Sequence, residues 1–340
     1  MSAEFEDVLL YAERPEWRDI VPVPQYQGVD ALAPINYSPE YQDATDYFRG
    51  IIRTGETSER VLALTWDIIK MNPAHYSAWQ YRYKTLVTLG EDLAAELHMM
   101  DDFAVANMKS YQVWHHRRLL LTALRSLDAA RAELAFIARV LQADAKNYHT
   151  WSYRQWLLAH FNDDEAGWLW AGERSWVEDL LEKDVRNNSA WHHRFFVVWA
   201  SGVRKGDEDR EAVCRRELAF AKEKIALAPN NPSAWNYLRG VMEQTKTRLA
   251  ELATFVQLYA VSGASAPPEV MDLDNPVPTE GAQLPSVNAL EFLADIYEEE
   301  GGDKIPKAVE IWKSLANEHD PMRKKYWEYR IREALQTASA

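Results

Sequence analysis

Along most of the chain, apolar residues recur at the three- and four-residue spacing of one helix face, interrupted at regular intervals by short polar breaks. Leu134, Ile137, Ala138 and Leu141 form one such stripe. Leu218, Ala219 and Ile225 form another, with Lys222 as its polar interruption. Tyr41, Ala44, Tyr47, Phe48 and Ile51 mark a helix near the start. The pattern predicts helices throughout and no strands.

The breaks repeat. Tyr76-Ser-Ala-Trp79-Gln-Tyr-Arg82, Tyr111-Gln-Val-Trp114-His-His-Arg117, Tyr148-His-Thr-Trp151-Ser-Tyr-Arg154, Asn188-Ser-Ala-Trp191-His-His-Arg194 and Pro232-Ser-Ala-Trp235-Asn-Tyr-Leu238 align on tryptophans spaced 35, 37, 40 and 44 residues apart. Seven residues before the first four stand Asn72, Asn107, Asp144 and Asp184. Such residues close one helix or cap the next, so each period reads as two helices. A repeat of this length predicts an all-α fold, an α-solenoid (crescent) of stacked antiparallel helical hairpins, because one hairpin cannot bury its own apolar stripe.

Residues 1–37 break the pattern with Pro15, Trp17, Pro22, Pro24, Tyr26 and Pro34, and read as an extended strap on a surface. Residues 38–340 read as a single repeat domain. Within it, 262–286 holds five prolines among small and acidic residues and is expected to be a long loop. Helix is expected again from about Val287, where Tyr326-Trp327-Glu-Tyr329-Arg330 weakly echoes the signature.

Composition narrows the function. Fifty-two acidic against 38 basic residues leave a net charge of −14, which disfavours nucleic acid. The lone cysteine, Cys214, excludes an internal disulfide framework and points to the cytoplasm. No stretch is apolar for long enough to span a membrane. No phosphate loop, dinucleotide fingerprint, zinc-protease helix or nucleophile elbow occurs. The pairs His115-His116 and His192-His193 point about 100° apart on a helix and read as hydrogen-bonded packing residues, so no metal site is expected on this chain. The repeated tryptophans should pack on neighbouring hairpins, and the repeated arginines should bond loop carbonyls or the capping Asn and Asp. Function is therefore sought where the repeats differ. Five residues before the tryptophan stand Ala74, Lys109, Lys146, Arg186 and Asn230, which puts cations at three consecutive helix starts, where anions are favoured.

Asp144-Ala-Lys146-Asn-Tyr148-His149-Thr-Trp151, its two neighbouring repeats and Leu10-Tyr-Ala-Glu-Arg-Pro-Glu-Trp17 closely resemble the α subunit shared by protein farnesyltransferase and protein geranylgeranyltransferase type I. Val21-Pro-Val-Pro-Gln25 and Ser233-Ala-Trp-Asn-Tyr-Leu238 extend the likeness over most of the chain. The resemblance implies a heterodimer with a β subunit that holds zinc and the isoprenoid cavity, and transfer from prenyl diphosphate to the cysteine of CaaX-terminated proteins. Magnesium beside the diphosphate would depend on the partner's side of the pocket. The resemblance further implies that Lys146 reaches the diphosphate with Tyr148 beside it. Tyr111, Gln112 and His149 would face the end of the peptide, and Asn187, Arg154 and Trp191 would support this edge. Two other readings fit the array: the α subunit of the Rab-type geranylgeranyltransferase, whose relatives carry additional domains, and a non-catalytic TPR-like peptide-binding scaffold.

Overall fold

The computed structural model describes residues 9–161, 169–170, 172–200, 209–262, 272 and 274–339. Residues 1–8 of the expected strap, and 263–271 and 273 of the expected loop, lie outside these. Among the described residues every regular element is a helix. The chain divides into two compact units, residues 1–161 and 162–340.

The first unit contains α1 (Pro39–Thr54), α2 (Glu59–Met71), α3 (Tyr76–Leu89), α4 (Leu93–Met99), α5 (Asp101–Ala106), α6 (Tyr111–Leu124), α7 (Leu127–Ala143) and α8 (Tyr148–His160). The tryptophan helices α3, α6 and α8 pack side by side, backed by α2, α4 and α7. The second unit contains α9 (Glu173–Lys183), α10 (Asn188–Ala200), α11 (Arg210–Leu227), α12 (Pro232–Thr245), α13 (Ala253–Gln257), α14 (Val287–Glu300), α15 (Ile305–Ser314) and α16 (Lys324–Ser339). Here α10, α12 and α14 pack in succession, with α9, α11 and α15 against them. Both units are thus stacked antiparallel hairpins, as the period predicts.

The described part of the strap is not simply extended. It forms two short 3-10 turns, Tyr11–Glu13 and Pro15–Trp17, and buries Tyr11, Trp17, Ile20 and Val23. Its approach to α1 depends on Gly50, where an added Cβ would stand 2.7 Å from the Val21 carbonyl oxygen and 2.8 Å from Ile20. Any larger residue would push the strap away.

The five signature tryptophans are 2–5% exposed and share one hydrogen bond. Each indole N–H donates to the carbonyl six residues earlier, at Pro73, Met108, Ala145, Val185 and Pro229, over 2.8–3.0 Å. The tryptophan therefore pins the turn that leads into its own helix, and within each unit the ring packs onto the following hairpin. Trp114 lies 5.0 Å from Tyr153 and Trp191 5.1 Å from Tyr237 between ring centroids.

The repeated arginines differ from expectation. Arg82, Arg117 and Arg154 do reach backbone carbonyls, but these belong to helices, at Leu62, Leu97 and Leu134. The acidic partners of Arg82, Arg117 and Arg194 are not the capping Asn and Asp but glutamates inside the stack, with Asp101 as a further partner of Arg117 at 2.9 Å. Arg82 pairs with Glu96 through two bonds of 2.7 Å, Arg117 likewise with Glu133, and Arg194 with Glu217 at 2.8 Å. A guanidinium this deeply buried needs an equally buried countercharge, which a capping residue at the surface cannot supply.

Each of these glutamates also accepts a bond from the second residue after the next tryptophan, His116 on Glu96 at 3.2 Å, Tyr153 on Glu133 at 2.8 Å and Tyr237 on Glu217 at 2.7 Å, and Glu173 is bonded in the same register by His193 at 3.0 Å. One buried histidine of each adjacent pair is thereby used as a hydrogen-bonded packing residue, while His115 and His192 are exposed.

This network sets an acid limit on stability. Burial opposes the charged form of Glu96, but hydrogen bonds from His116 and Arg82, together with the Arg82 charge, outweigh it and hold the carboxyl at about 2. An unfolded glutamate titrates at roughly 4.3. As pH falls through the interval between these values, the unfolded chain binds a proton that the folded chain refuses, and stability present above the interval is lost. Burial likewise holds His116 below its ordinary value in spite of Glu96, so the imidazole is neutral at pH 7 and Arg82 is the charge that Glu96 faces. That histidine adds a loss beginning at about pH 6.5. The urea midpoint of the chain should accordingly fall as pH drops from 6.5 to 3, with a shallower lower limb in Glu96→Gln. Equal slopes would contradict the assignment.

Candidate functional site

The turn from α7 to α8 carries the one lysine singled out for anion chemistry. Asp144 closes α7, its backbone N–H reaching Val140, and its carboxylate then accepts the Lys146 N–H at 3.2 Å. Asn147 is the N-cap of α8 and is 3% exposed. Its Oδ1 accepts from the Thr150 N–H and hydroxyl, each at 3.0 Å, while its Nδ2 donates to Asp144 at 3.3 Å. Lys146, between two fixed residues, is exposed at the start of a 13-residue helix, where unpaired N–H groups and the helix dipole favour negative charge. Sequence reading passed over Asn147; its signal was the spacing of an amide three residues before a threonine at a helix start.

Tyr148 opens α8 with 70% of its surface exposed, and Tyr111 opens α6 with 69%. His149 stands between them, its ring 4.3 Å from Tyr111 and 5.6 Å from Tyr148, edge to face with both. Partial burial lowers the His149 pKa, so the ring is neutral at pH 7 and presents one donor and one acceptor. Gln112 is half-buried at the second position of α6. Lys146, Tyr148, His149 and Tyr111 thus share one end of adjacent helices in the first unit. Lys109 occupies the same register one repeat earlier and is also exposed.

The remaining candidates are buried. Arg154 is 3% exposed and donates to the Leu134 carbonyl. In the second unit, Asn187 and Trp191 are each 2% exposed. The Asn187 amide oxygen accepts from the Ser189 and Ala190 N–H groups at the start of α10, and the Trp191 indole bonds Val185. Their visible work is to hold helix starts in place.

Among the described residues, no three His, Cys, Asp or Glu side chains group as a set of metal ligands. No described helix is long and apolar enough to cross a membrane.

Residues 58–89, 93–124, 130–161, 170–201 and 214–245 match the protein prenyltransferase alpha subunit repeat. The chain is 33% identical to the protein farnesyltransferase/geranylgeranyltransferase type-1 subunit alpha of Dictyostelium discoideum, over 97% of this chain and 95% of that one. The Schizosaccharomyces pombe protein of the same name is 36% identical over 96% of each. The geranylgeranyl transferase type-2 subunit alpha of Mus musculus is 34% identical, but over 59% of this chain and 37% of its own length. Among solved structures, Candida albicans protein geranylgeranyltransferase-I complexed with GGPP aligns with a TM-score of 0.76 and 29% identity, covering 93% of this chain and 97% of that one.

Proposed function

Since the chain belongs to the family of protein farnesyltransferase/geranylgeranyltransferase type-1 α subunits, we propose that it is the α half of a cytoplasmic heterodimeric enzyme. The enzyme transfers a farnesyl or geranylgeranyl group from prenyl diphosphate to the cysteine of CaaX-terminated proteins. The observation that carries the reading is Lys146, an exposed cation on a turn held by Asp144 and Asn147, at a helix start that already favours anions.

In the reaction, the cysteine thiolate forms a C–S bond to the prenyl C1 as the C1–O bond breaks, and diphosphate leaves with the bonding electron pair. Negative charge accumulates on the departing oxygen. The Lys146 ammonium stabilises that charge more in the transition state than in the bound donor, and the hydroxyl of Tyr148, which opens the same helix, adds a hydrogen-bond donor. Tyr111, Gln112 and His149 lie at adjacent helix starts and take the end of the peptide; Asn187 and Trp191 keep the start of α10 in place, and Arg154 supports this edge by tying α8 to α7. Zinc is assigned to the β subunit, with magnesium, where present, meeting the diphosphate from that subunit's side.

The test is co-expression. The chain purified alone should carry no stoichiometric zinc and transfer no prenyl group. With its β subunit, the complex should contain about one zinc and modify a CaaX peptide using farnesyl or geranylgeranyl diphosphate. Transfer by the rigorously purified single chain, or a stable complex without transfer, would overturn the reading.

A further inference from the structure

The tryptophan helices of the first unit are set apart by charge. α3, α6 and α8, of 14, 14 and 13 residues, contain no aspartate or glutamate, although acids make up 52 of the chain's 340 residues. Their buried arginines Arg82 and Arg117 take countercharges from other helices, at Glu96, Asp101 and Glu133.

Arg118 takes none. It follows Arg117 on α6, points about 100° away from it and is half-buried. Among the described residues no carboxylate pairs with it, and its Nε is cut off from water without a hydrogen-bond partner. The guanidinium carbon lies 5.3 Å from the centre of the Trp156 ring of α8, and His160 stacks against the same indole at 4.8 Å. A half-buried guanidinium with a desolvated N–H and no countercharge is unfavourable in a chain on its own. A carboxylate supplied from outside removes that penalty, and the indole already holds the planar group in place to receive it.

The surroundings indicate the bearer of the carboxylate. Tyr111, His115, Arg118 and Thr122 follow one another at four- and three-residue steps, a single stripe of α6 that runs on from the edge assigned to the peptide. All but Arg118 are exposed. Tyr111 meets His149 of α8 as Arg118 meets Trp156, so one seam between α6 and α8 runs from the helix starts to the guanidinium. Seven residues separate Tyr111 from Arg118, about 10 Å along the axis, too far for a group bonded at the helix starts to meet Arg118 as well. We propose that Arg118, braced on Trp156, is a docking point for a carboxylate of the β subunit, on a helix face that carries no carboxylate of its own. This rests on the reading of the chain as half of a heterodimer.

Charge reversal supplies the test. In the co-expressed complex, Arg118→Gln should weaken subunit association roughly ten-fold and Arg118→Glu about a hundred-fold at low salt, with the gap between them narrowing as ionic strength rises. Arg131→Gln, which removes the same charge from the exposed side of α7, should change association by less than about two-fold. The urea midpoints of the variant chains should stay close to that of the wild type, because no described residue hydrogen-bonds or ion-pairs with Arg118. Equal weakening by Gln and Glu at every salt concentration would overturn the proposal, as would an equal effect of the Arg131 control or a loss of chain stability in step with association. So would wild-type association combined with a raised KM for the CaaX peptide, which would give Arg118 to the peptide instead. A wild-type chain that forms no complex would refute the heterodimer reading itself, and this proposal with it.

Discussion

Replacing Lys146 with alanine is expected to slow prenyl transfer on the order of 100-fold in single-turnover experiments, while donor binding weakens only modestly. Removing one fixed electrostatic donor to a developing oxyanion costs roughly 3 kcal/mol, which is that factor in rate. The side chain is exposed, so its loss opens no cavity, and the turn beneath it is held by the Asp144 carboxylate and the Asn147 amide. The variant should therefore assemble with its partner and retain zinc. Lys109→Ala is the matched control, exposed in the same register one repeat earlier, and should leave the chemical step nearly unchanged. If the two variants lose activity alike, or if Lys146→Ala fails only because the complex does not form, the lysine has no part in leaving-group stabilisation.

Arg117→Ala is expected to be the most destabilising single substitution in the first unit, at roughly 3–5 kcal/mol. Arg117 and Glu133 are 1% and 3% exposed, and Tyr153 bonds the same carboxylate, its phenol kept neutral because burial pushes its pKa well up. Losing the guanidinium leaves Glu133 buried with one neutral donor, along with an unmatched carbonyl at Leu97 and a cavity over Phe136. Tyr153→Phe removes one hydrogen bond while the charge pair persists, and should cost about 1 kcal/mol. The double variant Arg117→Leu, Glu133→Leu should recover most of the loss, since it deletes both charges at once. Urea denaturation of the three variants checks the order. A loss below about 1 kcal/mol for Arg117→Ala would show that water reaches Glu133 and that the pair is not the keystone of its hairpins.

What the sequence made legible was local. The tryptophan spacing gave the hairpins, Asn72, Asp144 and Asp184 do close helices, and α14 begins at Val287, where helical pattern was expected to resume. Each of these features is completed within about six residues, as with the indole that bonds the carbonyl six positions back, so neighbouring residues specify it without a fold. The cations before the tryptophans were legible for the same reason, because helix starts are set by their own caps.

The partners of the repeated arginines were not. Glu96, Glu133 and Glu217 each stand eighteen residues before a signature tryptophan, a regularity present in the sequence but without meaning until the helices pack. Read singly, each is an ordinary charged position on an amphipathic helix; only the stack removes water from it and makes an ion pair with the preceding hairpin the cheapest way to keep its charge. The pairing of Asp295 in α14 with both Arg239 of α12 and Arg330 of α16 has the same origin, since the two arginines are 91 positions apart and meet only because these helices lie in one unit. Local capping and periodicity determined the hairpins and their helix starts, whereas the choice of which charges are buried together was made by tertiary packing, because the desolvation that enforces pairing does not exist in an isolated helix.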